Sequence, residues 1–201
     1  MEEEIKDNNS NPSSYKSLIG LGLGALAVGY YFYSKKNFKD LETVQSVDLD
    51  KYAGKWYEIA VIPYMFEKNC SNTVAEYAVT DKGYVTVHNQ CTKDFLEDKS
   101  ESIDGKAYPV KGSNNSKLKV QFFPVLKGDY WIIDLDKDYK YAVVGTPNRK
   151  NLWILSRTPK MDEELYQELI EKAKAKDFDI SKLKKTAHYR PAPTKSTVGV
   201  K

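Results

Sequence analysis

The side chains able to do chemistry are few and scattered. Asp134, Asp136 and Asp138 stand two apart, the opening spacing of a calcium loop. The sixth position of such a loop needs a glycine and holds Tyr139, and the twelfth needs an acid and holds Gly145. The three aspartates therefore read as turn caps, and no metal site is expected. Cys70 and Cys91 flank two strand-like runs joined at Thr80-Asp81-Lys82-Gly83. A hairpin turning at residues 80 and 81 sets them directly opposite each other, so a disulfide is expected, and with it an oxidising compartment. The rival use, a cysteine nucleophile, has no base nearby in sequence. His88 and His188 are lone histidines. Glu58 shares a strand face with Trp56 and would point inward, either bonded to an interior polar group or raised in pKa. It could meet a ligand's polar head or serve a structural hydrogen bond. The chain has no serine elbow and no phosphate loop. No catalytic set and no cofactor is expected.

Composition frames these residues. The 201 residues are 41% hydrophobic and 29% charged, which is globular, and the net charge of +3 is too small to make nucleic acid the main partner. The 15 tyrosines favour strands. The body is mildly acidic, whereas residues 181–201 carry Lys182, Lys184, Lys185, Arg190, Lys195, Lys201 and no acid. Such a tail either lies solvated or leans on phosphate head groups.

Residues 1–16 are polar and expected to be disordered. Residues 17–34 are uncharged and mostly apolar, with Tyr30, Tyr31 and Tyr33 at one end and Lys35, Lys36 and Lys39 beyond. They read as a membrane helix with an interfacial anchor. The rival is a cleaved signal, because Ala25-Leu26-Ala27 fits a small-residue cleavage pattern. Residues 35–46 read as a linker, 47–187 as the folded domain and 188–201 as a basic flexible tail.

Between Gly54 and Arg157 the chain alternates in short runs broken by turns. Strands are expected at 54–63, 72–79, 84–91, 101–108, 117–123, 129–135, 140–146 and 151–157. The fifth is clearest: Leu118, Val120 and Phe122 face one way, Lys117, Lys119 and Gln121 the other. No helix interrupts the eight, so the connections are antiparallel. Eight such strands have exposed edges unless the sheet closes, and an eight-stranded barrel leaves room for one small ligand. One helix follows, opened by Pro159 and acidic at 162–164, with Met161, Leu165, Leu169 and Ala173 on one stripe. It should pack on the outer wall. The expected fold is thus all-β: an eight-stranded antiparallel up-and-down barrel with one C-terminal helix, preceded by an N-terminal membrane helix.

Three motifs in order narrow this further. Gly54-Lys55-Trp56 opens the first strand, Asp138-Tyr139 precedes the seventh and Arg157 ends the eighth. The stretches GKWYEIA (54–60), YWIIDLDKDYKYAVVG (130–145), LWILSRTP (152–159) and FDISKL (178–183) accompany them. This pattern resembles the lipocalin family from about Val47 to Thr186. Within it the chain is similar to the branch of bacterial outer-membrane lipocalins, plant temperature-induced lipocalins and apolipoprotein D. Bacterial members are usually held by an acylated cysteine, and no cysteine follows the apolar segment here. The resemblance implies that Gly54, Trp56, Asp138, Tyr139 and Arg157 are structural. An Arg guanidinium over the Trp56 indole would plug one barrel end.

Alternation then assigns the inward residues. Glu58, Tyr77, Val87, Asn89, Ala107, Val120, Phe122, Trp153 and Leu155 form the expected ligand surface. In strands six and seven both faces are apolar, and Tyr130 with Ile132 competes with Trp131 and Ile133 for the interior. Such a pocket suits an acyl chain or a flat hydrophobic ring, and the branch resemblance implies a fatty acid or lysophospholipid. The expected function is binding, storage or transport of that ligand by a membrane-tethered protein. Its domain would lie on the periplasmic or outer face of a bacterial envelope, with a homodimer as an open option. The alternatives are an enzyme acting on an isoprenoid or fatty acid in the same barrel, and a structural protein whose own side chains fill the interior.

Overall fold

The computed structural model describes residues 40–63, 70–94 and 99–189. The apolar segment 17–34 and the tail from Arg190 lie outside them. Among the described residues no helix is long and apolar enough to cross a membrane.

A single helical turn, α1 (Leu49–Tyr52), leads into eight strands: β1 (Gly54–Ile62), β2 (Ser71–Val79), β3 (Val85–Asp94), β4 (Lys99–Pro109), β5 (Lys117–Phe123), β6 (Leu126–Leu135), β7 (Tyr141–Gly145) and β8 (Leu152–Ser156). Helix α2 (Glu163–Ala175) and a two-residue strand β9 (Lys184–Lys185) follow. Each of the first eight strands pairs antiparallel with its neighbour in sequence, and β1 pairs with both β8 and β2. The sheet is therefore a closed barrel, the one arrangement that leaves so many antiparallel strands without long free edges.

Local chemistry sets the turns. Asp48 caps α1 by accepting from the Asp50 and Lys51 amides. The β2–β3 turn closes through Thr80 and Tyr84, with Gly83 at φ +77° where a side chain would be strained. Asp136 accepts from the Asp138 and Lys140 amides and so shapes the β6–β7 turn. Asp134 does not share that role; it pairs with Lys172 of α2 at 3.1 Å. Helix α2 starts at the Asp162 cap, three residues after Pro159, so Met161 packs from outside the helix.

The outer wall carries its own core. Ile59, Ala60, Ile62, Val143, Leu152 and Ile154 meet Tyr166, Leu169, Ala173 and Phe178. Residues 40–46, expected as linker, belong to the domain: Leu41 is buried in this core and the Val44 amide donates to the Ile132 carbonyl.

The seam between β1 and β2 departs from simple alternation. The two strands pair only over Gly54–Tyr57 and Val74–Tyr77. Beyond that, β1 pairs with β9, the Asn72 amide donates to Ala187 O, and the Tyr189 amide donates to Asn72 Oδ1. The C-terminal segment thus fills the gap as a ninth strand. His188 and Tyr189, read from sequence as tail, are held in place.

Candidate ligand site

The interior divides along the barrel axis. At the end where β1 begins, Trp56 is fully buried and the Arg157 guanidinium lies 3.8 Å over its indole ring. Arg157 also donates to the carbonyls of Lys51, Tyr52, Lys55 and Tyr139, at 2.7 to 3.2 Å. Desolvation lowers its pKa below the usual guanidinium value. The Trp56 indole N–H donates to Tyr52 O at 2.7 Å, and the Tyr139 hydroxyl accepts from the Asp48 amide. Gly54 stands beside the guanidinium at φ +87°, where a side chain would be strained. Asp138 stays at the surface beside Lys140. Every polar group named at this end has a partner, so it is a plug.

Above the plug three tyrosines meet. Tyr130 Oη lies 2.8 Å from Tyr52 Oη and 3.2 Å from Tyr77 Oη. Burial of the hydroxyls pushes all three pKa values up, Tyr77 to about 12. Sequence reasoning missed Tyr52, because α1 lies before the strands and alternation says nothing about it. A cavity of about 10 Å3, room for one water centre, sits here among Leu49, Tyr52, Tyr77, Val85, Leu118 and Tyr130. No lipid fits in it.

The faces left open by sequence are settled by packing. Tyr130 and Ile132 point inward with Ala142 and Val144, whereas Trp131, Ile133 and Val143 face α2. The two pairs alternate as successive strand residues must.

The nine expected ligand residues do share the interior, but they divide into two groups. Tyr77, Asn89, Val120, Phe122 and Trp153 point inward yet keep accessible surface. Val87, Ala107 and Leu155 are buried at 3%, 1% and 4%, and Glu58 at 8%. Leu155 belongs to the Trp56 cluster. The Phe122 ring lies against Gly105, whose Cβ would stand 2.7 Å from it. Glu58 Oε1 accepts from the Thr186 hydroxyl at 2.5 Å, and His188 Nε2 lies 2.8 Å from the Glu58 carbonyl oxygen. His88 faces outward to Asp104.

Towards the opposite end the polar groups are less complete. Thr73 Oγ1 and Asn89 Oδ1 are buried without a hydrogen-bond partner. Higher up, Lys93 pairs with Glu101 at 3.7 Å. Cys70 and Cys91 form a disulfide with their Cα atoms 5.5 Å apart. The register differs from the expected one. The β2–β3 ladder is centred on residue 82, as Val79 opposite Val85 shows, and a bulge at Asn72–Thr73 shifts the upper pairs. Cys70 reaches Cys91 diagonally from beyond the last ladder pair. The disulfide leaves no free thiol, which removes the cysteine-nucleophile option. Phe123, Val125 and Leu126, at the β5–β6 turn of this end, are 57%, 89% and 66% exposed.

The comparisons with known proteins agree with this architecture. A family model described as a lipocalin-like domain matches residues 47–188. Temperature-induced lipocalin-1 of Arabidopsis thaliana is 40% identical over 79% of this chain and 89% of its own length. Outer membrane lipoprotein Blc of Vibrio cholerae is 38% identical over 72% of this chain and 85% of its own. The solved structure of insecticyanin from the tobacco hornworm superposes with a TM-score of 0.59, covering 76% of this chain and 92% of that one, at 20% identity. That likeness shows the fold, and the sequence matches carry the relationship. The chain is a member of the lipocalin family, whose barrels bind small hydrophobic ligands.

Proposed function

We propose that this barrel binds and carries an acyl lipid, a fatty acid or lysophospholipid, at the surface of a bacterial envelope membrane. One observation carries the reading: Tyr77, Val120, Phe122, Tyr130 and Trp153 point into the barrel and still keep accessible surface. Inward-facing apolar and aromatic side chains are what an acyl-chain site is lined with. The exposed Phe123, Val125 and Leu126 at the mouth suit exchange with an apolar phase. The name of the Vibrio relative, an outer membrane lipoprotein, supports the envelope. Residues 17–34 would tether the domain in place of an acylated cysteine, and the disulfide fits the oxidising side. The reading is of a carrier and not of an enzyme.

The test is native mass spectrometry of the intact chain made in an oxidising compartment, with lipid extraction in parallel. A bound acyl lipid displaced by added lysophospholipid is the expected result. A folded protein that ignores a panel of fatty acids and lysolipids would refute the reading.

A further inference from the structure

The lysines of the domain sort into two kinds. Lys55, Lys119, Lys140, Lys172 and Lys185 each hold a carboxylate oxygen within 3.6 Å. Lys106, Lys117 and Lys127 do not; among the described residues none of these three pairs with an acid. Each lies instead over an aromatic ring: Lys106 over Tyr84 at 4.8 Å, Lys117 over Trp131 at 4.0 Å and Lys127 over Tyr108 at 4.5 Å. All three project from the outer wall of β4, β5 and β6. A ring face attracts a cation without neutralising it, so this wall keeps their charge. Asp129 and Asp104, on the same strands, are already taken, by Lys119 at 2.7 Å and by His88 at 2.6 Å.

Register places two of these lysines directly beneath the exposed apolar turn. Lys106 stands opposite Gln121 on β5. Val120 stands opposite Gly128, which puts Lys127 on the other side of Gln121. Lys106, Gln121 and Lys127 thus form one row across three strands, and both lysines are exposed. Phe123 lies two residues further up β5, about 7 Å at strand rise. With Val125 and Leu126 it makes the exposed apolar tip. An element resting in a bilayer interface buries its apolar part about 5–10 Å into the head-group boundary. At that depth the row of Lys106 and Lys127 lies level with the phosphates. Tyr84 and Tyr108, with ring centroids 5.8 Å apart, flank it, and tyrosine is a residue that such an interface favours.

We infer that the outer wall of β4–β6, together with the β5–β6 turn, is a docking surface for a bilayer that contains anionic phospholipid. Phe123, Val125 and Leu126 enter the acyl region, and Lys106 and Lys127 meet head-group phosphates. Charge complementarity selects this occupant. The wall carries uncompensated cations beside an apolar tip, and an anionic bilayer offers a partner to both. The domain therefore rests on its β4–β6 side, and the plug end stays in water. This goes beyond the carrier reading and needs no cargo in the barrel.

The experiment reconstitutes the intact chain in vesicles of phosphatidylcholine, alone or mixed with phosphatidylglycerol. Residues 17–34 are expected to hold the chain in either lipid, so the readout is local. Val125→Cys carries a nitrobenzoxadiazole dye, and Lys137→Cys, in the β6–β7 turn at the plug end, carries the same dye as control. With phosphatidylglycerol present, the dye at position 125 should shift to the blue and be quenched by acyl-brominated lipid, while the dye at position 137 stays in water. Lys106→Gln and Lys127→Gln should each lower the ratio of inserted to free dye about 5-fold. Salt at ~1 M should lower it as well, since it shortens the reach of the charges to about 3 Å. A dye at position 125 that stays in water beside phosphatidylglycerol would overturn the docking surface. So would equal insertion with and without phosphatidylglycerol, insertion that survives both lysine substitutions, or a dye at position 137 that enters as deeply. None of these results touches the cargo, which native mass spectrometry judges separately.

Discussion

The two ends of this barrel solve opposite problems. At the Trp56 end, one guanidinium serves four backbone carbonyls and covers an indole, and three tyrosine hydroxyls satisfy one another. Towards the other end two buried polar atoms lack partners, and at its rim three large apolar side chains face out. Completed bonding and dense packing stabilise; incomplete bonding and exposed apolar surface are what a binding site keeps in reserve. Stability and recognition are separated along one axis. On the proposed reading, that separation lets a ligand enter without loosening the plug.

Substitutions can break this comparison or sharpen it. The largest effect is expected at the plug: Trp56→Ala should cost about 4 kcal/mol in denaturant unfolding, the scale of an aromatic cavity in a rigid core. Cys70→Ser should cost about 3 kcal/mol, because the disulfide closes a loop of 21 residues. It would show that the far end is held by a covalent link where it lacks packing. A comparable change comes with pH. The unfolded tyrosine titrates near ~10, and the folded Tyr77 at about 12. Below pH ~10 both states keep the proton and this source adds no slope. Between pH ~10 and ~12 the unfolded state releases it first, so stability falls as pH rises, by about 3 kcal/mol in all. Tyr77→Phe should remove that part of the alkaline decline, read as the unfolding midpoint against pH.

The smaller effects belong to the mouth. Trp153→Ala should weaken lipid binding about 10-fold while the plug variants that still fold bind normally. Equal affinity in wild type and Trp153→Ala would collapse the division. Val125→Asp should change stability by less than about 0.5 kcal/mol, since the side chain is 89% exposed. It should still lower retention on lipid vesicles, measured by flotation of the intact chain beside wild type.

Much of the fold was legible because strand alternation is local. Leu118, Val120 and Phe122 declare their face within seven residues, and Gly54-Lys55-Trp56 with Arg157 marks the plug before any contact is known. The disulfide was also reached, although by a register that the structure corrects. The bulge at Asn72–Thr73 adds a residue that no periodicity announces. Strands six and seven gave no answer for the same reason in another form: when a wall is buried on both sides, both faces are apolar and alternation vanishes. Helix α2 supplies the missing information, since it covers Trp131 and Ile133 and leaves Tyr130 to the interior.

What the amino-acid order determined by itself was the list of strands, their antiparallel succession, the plug pair and the inward direction of most wall residues. These depend on neighbours two or four positions apart, and the chain carries that information everywhere. Tertiary structure alone decided which inward residues are reachable. Val87, Ala107 and Leu155 point the right way and are buried, whereas Asn89 and Trp153 keep surface. It alone brought Tyr52 to Tyr130, 78 residues apart, and Thr186 to Glu58, 128 apart. Direction is a property of the strand, whereas access is a property of everything packed around it, and no segment of sequence contains its own surroundings.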